Sequence, residues 1–137
     1  MSERSMKSKE IHSSGFNCAQ SVVASFDDIP ACDQLIKAAT SFGAGVGGKR
    51  QVCGAVSGMC MVAGVERGYN TPNKGDMKKN HTALVSEMCD DFEAVAGSIV
   101  CGELLGLPGF KDVGVEKKMP CSELIQMAVE IAEKHLK

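Results

Sequence analysis

The chain has 137 residues, of which 44% are hydrophobic and 23% charged, a balance typical of one compact folded domain rather than a disordered chain. A formal net charge of -2 leaves no excess of Lys and Arg to neutralise phosphates, which argues against nucleic acid as the main partner. The N-terminal segment lacks the apolar core of a signal peptide, and no uncharged stretch reaches the ~20 residues that span a bilayer. We therefore expect a single cytoplasmic domain over residues 1–137, without a membrane span.

Helical periodicity dominates the chain, and strand patterns are nearly absent. The predicted helices cover residues 18–26, 31–42, 49–66, 77–96 and 121–136. Asn17 and Gln20 form a capping-box sequence at the start of the first, and Pro120 suits the first position of the last. Turn-rich residues 68–75 and 106–120 are predicted surface loops. The fold class is all-α, a compact bundle of about five to seven helices around the central Gly- and Ala-rich helix 49–66.

Seven cysteines are unusually many, and the odd number means that at least one is free or bound to something else. In a reducing compartment cysteines more often serve metal binding or redox exchange than permanent disulfides. Four of them lie at or near predicted helix starts, where the positive end of the helix dipole favours the thiolate. These candidate site residues are Cys18, Cys53, Cys101 and Cys121. No CxxC motif occurs, so the fold must assemble any site from distant cysteines.

The other three cysteines are weaker candidates. Cys60 and Cys89 are interpreted as small core residues, since Cys is among the most buried residue types. Cys32 lies near a helix start, but the negative charge of Asp33 opposes thiolate formation. The role of Cys32 is therefore left open.

The glycine segment 43–48 satisfies GxGxxG, and with Lys49 it satisfies GxxxxGK. Arg50 stands where a P-loop requires Ser or Thr, and a helical pattern precedes the segment instead of a strand, so nucleotide binding is not favoured. The segment with its two basic residues could hold an anion or lie against a thiolate. The preferred interpretation of this segment is a flexible connection between helices, followed by two solvated basic residues.

The three histidines have no metal-binding spacing. They are predicted to be surface or half-buried helix residues: His12, His81 and His135.

The segment CGAVSG at 53–58 fits the pattern CGAxxG, with Cys18 before it and Cys101 and Cys121 after it. With this arrangement the chain resembles the C_GCAxxG_C_C family, whose members are described as redox-active. The sequences GFNCAQSV, SFGAGVGG and SIVCGELLG also look like family segments in family order, so the resemblance covers nearly the whole chain. It implies a small bacterial or archaeal protein with these four characteristic cysteines, and it supplies no substrate.

Two functions fit these residues. In the first, a thiolate at a helix start exchanges with a disulfide, with Cys18 and Cys53 as the first expected pair and a redox protein or small thiol as partner. In the second, the same four thiolates bind an iron–sulfur cluster or another metal as the cofactor. Thiol exchange is slightly favoured, because tetra-thiolate sites commonly contain some closely spaced cysteines. A structural helical interaction protein ranks third, and a homo-oligomer is allowed. We predict that the four cysteines converge, because sequence-distant residues of one chemistry at helix starts are most simply explained by a shared site.

Overall fold

The computed structural model describes residues 2–72, 75–113 and 119–137. Within these ranges the chain forms seven α-helices: α1 Glu3–Ser13, α2 Cys18–Ser25, α3 Cys32–Ala39, α4 Gly54–Arg67, α5 Asp76–Ala96, α6 Cys101–Leu104 and α7 Cys121–Leu136. A 3₁₀ turn, Thr40–Phe42, follows α3. The described residues contain no strand, only an isolated antiparallel bridge between Val52 and Val100. The predicted all-α fold is confirmed.

Parts of the two predicted surface loops, residues 73–74 and 114–118, lie outside the described residues. None of the helices in the described ranges has the length and apolar character required to cross a membrane.

The centre of the bundle is built from α2, α4 and α7, which pack against one another, with α1 on α2 and α7 and with α5 on α4 and α7. Their shared core consists of completely buried apolar side chains, which include Val22, Val23, Phe26, Val56, Met59, Val62, Ile125 and Val129. Burial of each large side chain contributes about 1.5–3 kcal/mol to folding. The Gly- and Ala-rich helix α4 is therefore central, as predicted.

Two glycines of α4 set its distance from α2. A Cβ atom at Gly54 would lie 3.1 Å from the Cβ atom of Cys18, and one at Gly58 would lie 2.8 Å from the carbonyl oxygen of Ala19. Gly54 and Gly58 are one helical turn apart and so lie on the same face of α4. The glycines of the CGAVSG segment thus allow the backbones to approach closely, which places the start of α4 beside the start of α2.

The helix boundaries agree with local sequence signals at α2, α5 and α7, but not at α4. The α2 capping box is present: the Gln20 amide donates to Asn17 Oδ1 at 2.8 Å, and the Asn17 amide donates to Gln20 Oε1 at 3.1 Å. Helix α4 was predicted from Lys49, yet it begins at Gly54. Residues 50–53 are not helical because Arg50 has φ 59° and the next residues pair with the chain around Val100. The pairing is non-local, so helical periodicity could not reveal it.

Helix α1 was not predicted at all. Its inward side carries Ser5 and Ser8, both completely buried, instead of an apolar stripe. Their hydroxyls donate to the carbonyl oxygens of Ser2 at 2.9 Å and Ser5 at 2.6 Å, which satisfies them inside the protein. Ser2 also caps the helix by accepting from the Ser5 amide. This cap is a local signal for α1, together with acidic Glu3 in the first turn and His12 in the last.

Candidate functional site: the four-cysteine cavity

The four candidate cysteines all lie where a helix begins. Cys18, Cys101 and Cys121 are the first residues of α2, α6 and α7, and Cys53 immediately precedes α4. All four line one cavity of about 50 Å³, together with Ala44, Gly45, Arg50, Gly54, Leu104, Leu105 and Leu124. We call this space the four-cysteine cavity. It has room for a few water molecules or one small reactive group.

Cys18 and Cys121 form a hydrogen-bonded thiol pair inside this cavity. The Cys18 S–H, the positive charges of His12 and Arg50, and the backbone amide of Cys121 lower the pKa of Cys121 to about 6, although burial opposes ionisation. The same hydrogen bond, together with burial, raises the pKa of Cys18 far above its ordinary value. Cys121 is thus the thiolate of the pair and Cys18 its proton-bearing partner. The first pair expected from the sequence was Cys18 with Cys53, so the observed contact differs.

Cys53 is the most enclosed of the four, with 5% of its surface exposed. Burial raises the pKa of its thiol to about 11, even though the amides of Ala55 and Val56 at the start of α4 act to lower it. Residues beside Cys53 and Cys101 form the Val52 to Val100 bridge, and the Cys53 amide donates to the Ile99 carbonyl oxygen at 2.7 Å. This pairing holds Cys53 and Cys101 on neighbouring backbone segments.

Arg50 brings a positive charge into the four-cysteine cavity. Its Nη1 donates to the Sγ of Cys101 at 3.8 Å, and its side chain is half-buried. The glycine segment holds the Arg50 backbone in place, because the Arg50 amide donates to the Ala44 carbonyl oxygen at 3.0 Å. The preferred interpretation of both basic residues as solvated is therefore wrong for Arg50, whereas Lys49 is exposed as expected.

His12, at the last turn of α1, is a functional candidate whose role the sequence did not reveal. Its Nδ1 lies 3.0 Å from the carbonyl oxygen of Phe16, a contact that assigns the ring proton to Nδ1. When protonated, the imidazole contributes positive potential at Cys121. No motif links His12 to a cysteine, and the helix that carries it had not been predicted.

Comparisons with known proteins bear directly on this site. The sequence model of the family described as "Putative redox-active protein (C_GCAxxG_C_C)" matches residues 16–135, a range that contains all four cavity cysteines. The chain belongs to this family. A protein of Archaeoglobus fulgidus, described as an uncharacterized protein, is 30% identical in a match that covers 88% of this chain and 85% of the relative. No solved structure matches the chain.

The three cysteines outside the C_GCAxxG_C_C pattern also lie outside the cavity. Cys32 donates to the carbonyl oxygen of Val23 at 3.8 Å, and burial, with the negative charge of Asp33, raises its pKa. Cys60 and Cys89 pack against the core, as expected, but both are only partly buried and their thiols contact each other. This contact was not predicted.

The arrangement of the C_GCAxxG_C_C cysteines also bears on metal binding. Thiolates are the ligands that zinc and iron–sulfur clusters prefer, so the donor set of the cavity suits either group. Across residues 2–72, 75–113 and 119–137, however, no three His, Cys, Asp or Glu side chains are grouped closely enough to hold a metal ion. The four thiols would have to move closer together to act as ligands of one centre.

Proposed function

We propose that this protein is a cysteine-based thiol–disulfide redox protein that reacts through Cys121 and Cys18. The observation that carries the proposal is their hydrogen-bonded contact at two helix starts, with Arg50 and His12 favouring the Cys121 thiolate. A thiolate is the form of cysteine that attacks disulfides, and a thiol with a pKa near the ambient pH is the most effective attacking group. Cys121 meets both conditions.

The exchange proceeds in two balanced steps. The Cys121 thiolate attacks one sulfur of a disulfide R–S–S–R′, so that a Cys121–S–S–R mixed disulfide forms and R′S⁻ leaves. Cys18 then gives up its proton and attacks the Sγ of Cys121, which forms the Cys18–Cys121 disulfide and releases RS⁻. The two protein thiols are oxidised, the substrate disulfide is reduced to two thiols, and the reverse sequence regenerates the dithiol.

The remaining cavity residues suit a supporting role. Cys53 and Cys101 line the same cavity and form a second dithiol that can accept the disulfide by a further exchange. Because the cavity is small, the substrate disulfide must be that of a small molecule or one presented at the surface of a partner protein. In the reducing cytoplasm, the location we expect, the cellular thiol pool returns the protein to its dithiol form.

A metal or iron–sulfur centre is the second candidate function. It is favoured by the convergence of four cysteines on one cavity, which exchange through Cys18 and Cys121 alone does not require. In that case the centre would supply electron transfer or structural bonding, and the four cysteines would hold it.

Anaerobic purification followed by metal analysis, visible absorption and thiol counting separates the two candidates. Thiol exchange predicts a colourless, metal-free protein that loses thiols in pairs when treated with hydroxyethyl disulfide, with Cys18 linked to Cys121. Stoichiometric iron with sulfide-dependent colour, abolished by Cys53→Ser, would overturn our preference.

Two variants test the pair itself. Cys121→Ser should abolish the first-formed disulfide and the fastest phase of thiol loss, because it removes the attacking thiolate. Cys32→Ser removes a partly buried thiol outside the cavity and should leave both signals intact. If Cys121→Ser reacts at the wild-type rate, Cys121 is not the attacking group.

A further inference from the structure

A second pair of cysteines lies away from the four-cysteine cavity. The thiols of Cys60 on α4 and Cys89 on the adjoining α5 neighbour each other closely enough for each to shift the pKa of the other, and neither lines the cavity. Cys60 follows Cys53 by seven residues, or about 10 Å along the axis of α4. The two groups of thiols are thus separated by two turns of the same helix.

We propose that Cys60 and Cys89 are a second redox site, a dithiol that small disulfides oxidise to a disulfide between α4 and α5. Disulfide formation requires two thiols that neighbour each other, as Cys60 on α4 and Cys89 on the adjoining α5 do. Both side chains are partly buried at the edge of the core, not enclosed within it. The site uses none of the cysteines of the proposed exchange reaction.

The surface beside Cys60 gives reagents access to the pair. Cys60 lines a shallow surface groove with Phe42, Val46, Val52, Ser57 and Met61. Val46 and Val52 are themselves exposed. Cys89 does not line this groove but is itself partly exposed, so a small disulfide can reach the pair from solvent without opening the bundle.

The surroundings of the two thiols indicate the order of the reaction. Burial, together with the neighbouring carboxylates of Asp90 and Glu93, raises the pKa of Cys89, although the Cys60 S–H acts to lower it. Burial and the adjacent Cys89 raise the pKa of Cys60 to about 12. Cys89 is accordingly the first of the two to ionise.

The Cys89 thiolate attacks a disulfide R–S–S–R to give Cys89–S–S–R and RS⁻. Cys60 then loses its proton, attacks the Sγ of Cys89 and expels a second RS⁻. Two protein thiols are oxidised and one reagent disulfide is reduced to two thiols. With both pKa values raised, the reaction is slow near neutral pH and is faster at higher pH.

The oxidised pair would change how α5 is held. Of the 21 residues of α5, only Met88, Phe92 and Ala96 are buried, so few side chains attach this helix to the bundle. A Cys60–Cys89 disulfide would add a covalent link at the middle of α5, immediately after Met88. Oxidation at this site therefore fixes the position of α5 on α4.

Peptide mapping of the oxidised full-length chain tests the proposal. The reduced protein is incubated with hydroxyethyl disulfide, quenched with acid, alkylated and then cleaved after methionine and after acidic residues. The first cleavage separates Cys60 from Cys53, and the second separates Cys89 from Cys101, so each linkage has a distinct mass. We expect a fragment in which Cys60 is linked to Cys89. Recovery of both as alkylated thiols, as separate reagent adducts, or as links to cavity cysteines would overturn the proposal.

Cys89→Ser provides the matched variant. The Cys60–Cys89 fragment should disappear and Cys60 should be recovered without an intramolecular link, whereas the Cys18–Cys121 link should form at its wild-type rate. That second readout separates failure of this proposal from failure of the proposed exchange reaction. A Cys60 cross-link that persists at wild-type yield in Cys89→Ser would rule out Cys89 as its partner.

Discussion

The four-cysteine cavity and the Cys60–Cys89 pair place the same functional group in opposite electrostatic surroundings. In the cavity, Cys121 begins a helix near Arg50 and His12, and its pKa is lowered. The Cys60–Cys89 pair lies within helices, where burial raises both pKa values, and the charged neighbours that act on Cys89 are the acidic Asp90 and Glu93.

Burial opposes ionisation at Cys121, Cys60 and Cys89 alike. At Cys121 the Cys18 S–H and the positive charges of His12 and Arg50 outweigh burial, whereas the described residues that act most strongly on the Cys60–Cys89 pair include no cation. The protein therefore contains a fast pair, Cys18 with Cys121, whose attacking thiol ionises readily, and a slow pair, Cys60 with Cys89, whose thiols do not.

The sharpest test of this contrast is alkylation of individual cysteines. At pH 7, Cys121 should react with iodoacetamide roughly 100-fold faster than Cys60. Its much larger thiolate fraction outweighs the lower nucleophilicity of each Cys121 thiolate. Lowering the pH through about 6 should suppress Cys121 as it protonates, whereas Cys60 should continue to gain reactivity up to pH 9 and beyond. Mass mapping after timed quenching measures both sites in one sample. Equal rates at pH 7 would refute the distinction.

Oxidation of the slow pair should also stabilise the fold. The Cys60–Cys89 disulfide closes a loop that spans 29 residues and so lowers the conformational entropy of the unfolded chain. It should raise the free energy of unfolding by up to about 3 kcal/mol. Urea unfolding of the oxidised and reduced protein measures the difference, with Cys89→Ser as the control that shows none from this link. A disulfide that destabilised the protein would show that α4 and α5 must move to form it.

The cavity depends on close packing, which the α4 glycines allow us to test. Gly58→Ala should destabilise the protein by about 2 kcal/mol and disturb Cys18, because the new Cβ meets the backbone of α2. The matched control is Gly64→Ala in the same helix, where no atom lies within 4 Å of the added Cβ. There, we expect stabilisation of up to about 1 kcal/mol from helix propensity. Thermal unfolding distinguishes the two, and equal effects would contradict the packing argument.

The smallest predicted effect concerns the charge of Arg50. Arg50→Gln should shift the pH midpoint of Cys121 alkylation upward by about 1 pH unit, because the thiolate loses a favourable charge. Lys49→Gln removes the same charge from an exposed neighbouring position and should leave the midpoint unchanged. A similar shift in both variants would indicate a general effect of net charge.

Local signals account for the parts of the fold that the sequence could predict. The Asn17 capping box and the apolar periodicity of α5 and α7 depend on residues within one or two turns, so their helices were located to within a residue or two. Helix α1 escaped prediction because its buried face consists of serines, whose hydroxyls bond to its own backbone. The start of α4 escaped because it depends on pairing with distant Val100.

The candidate site was predictable only in part, for the same reason. Helix-start placement and the family pattern selected the four cysteines that line the cavity. Spacing could not show that Cys18 meets Cys121, that Arg50 turns inward, or that Cys60 meets Cys89, since each contact depends on how helices pack.

The position of α1 has an electrochemical consequence. The family match begins at residue 16, so His12 lies outside the matched range, yet its imidazolium form adds positive potential at Cys121. Stabilising a thiolate favours the dithiol over the disulfide, and this raises the reduction potential of the couple. In the proposed exchange, α1 therefore makes the Cys18–Cys121 disulfide a stronger oxidant when His12 is protonated. Relatives that keep the four cysteines but lack a cation at this position should hold their disulfides at a more negative potential.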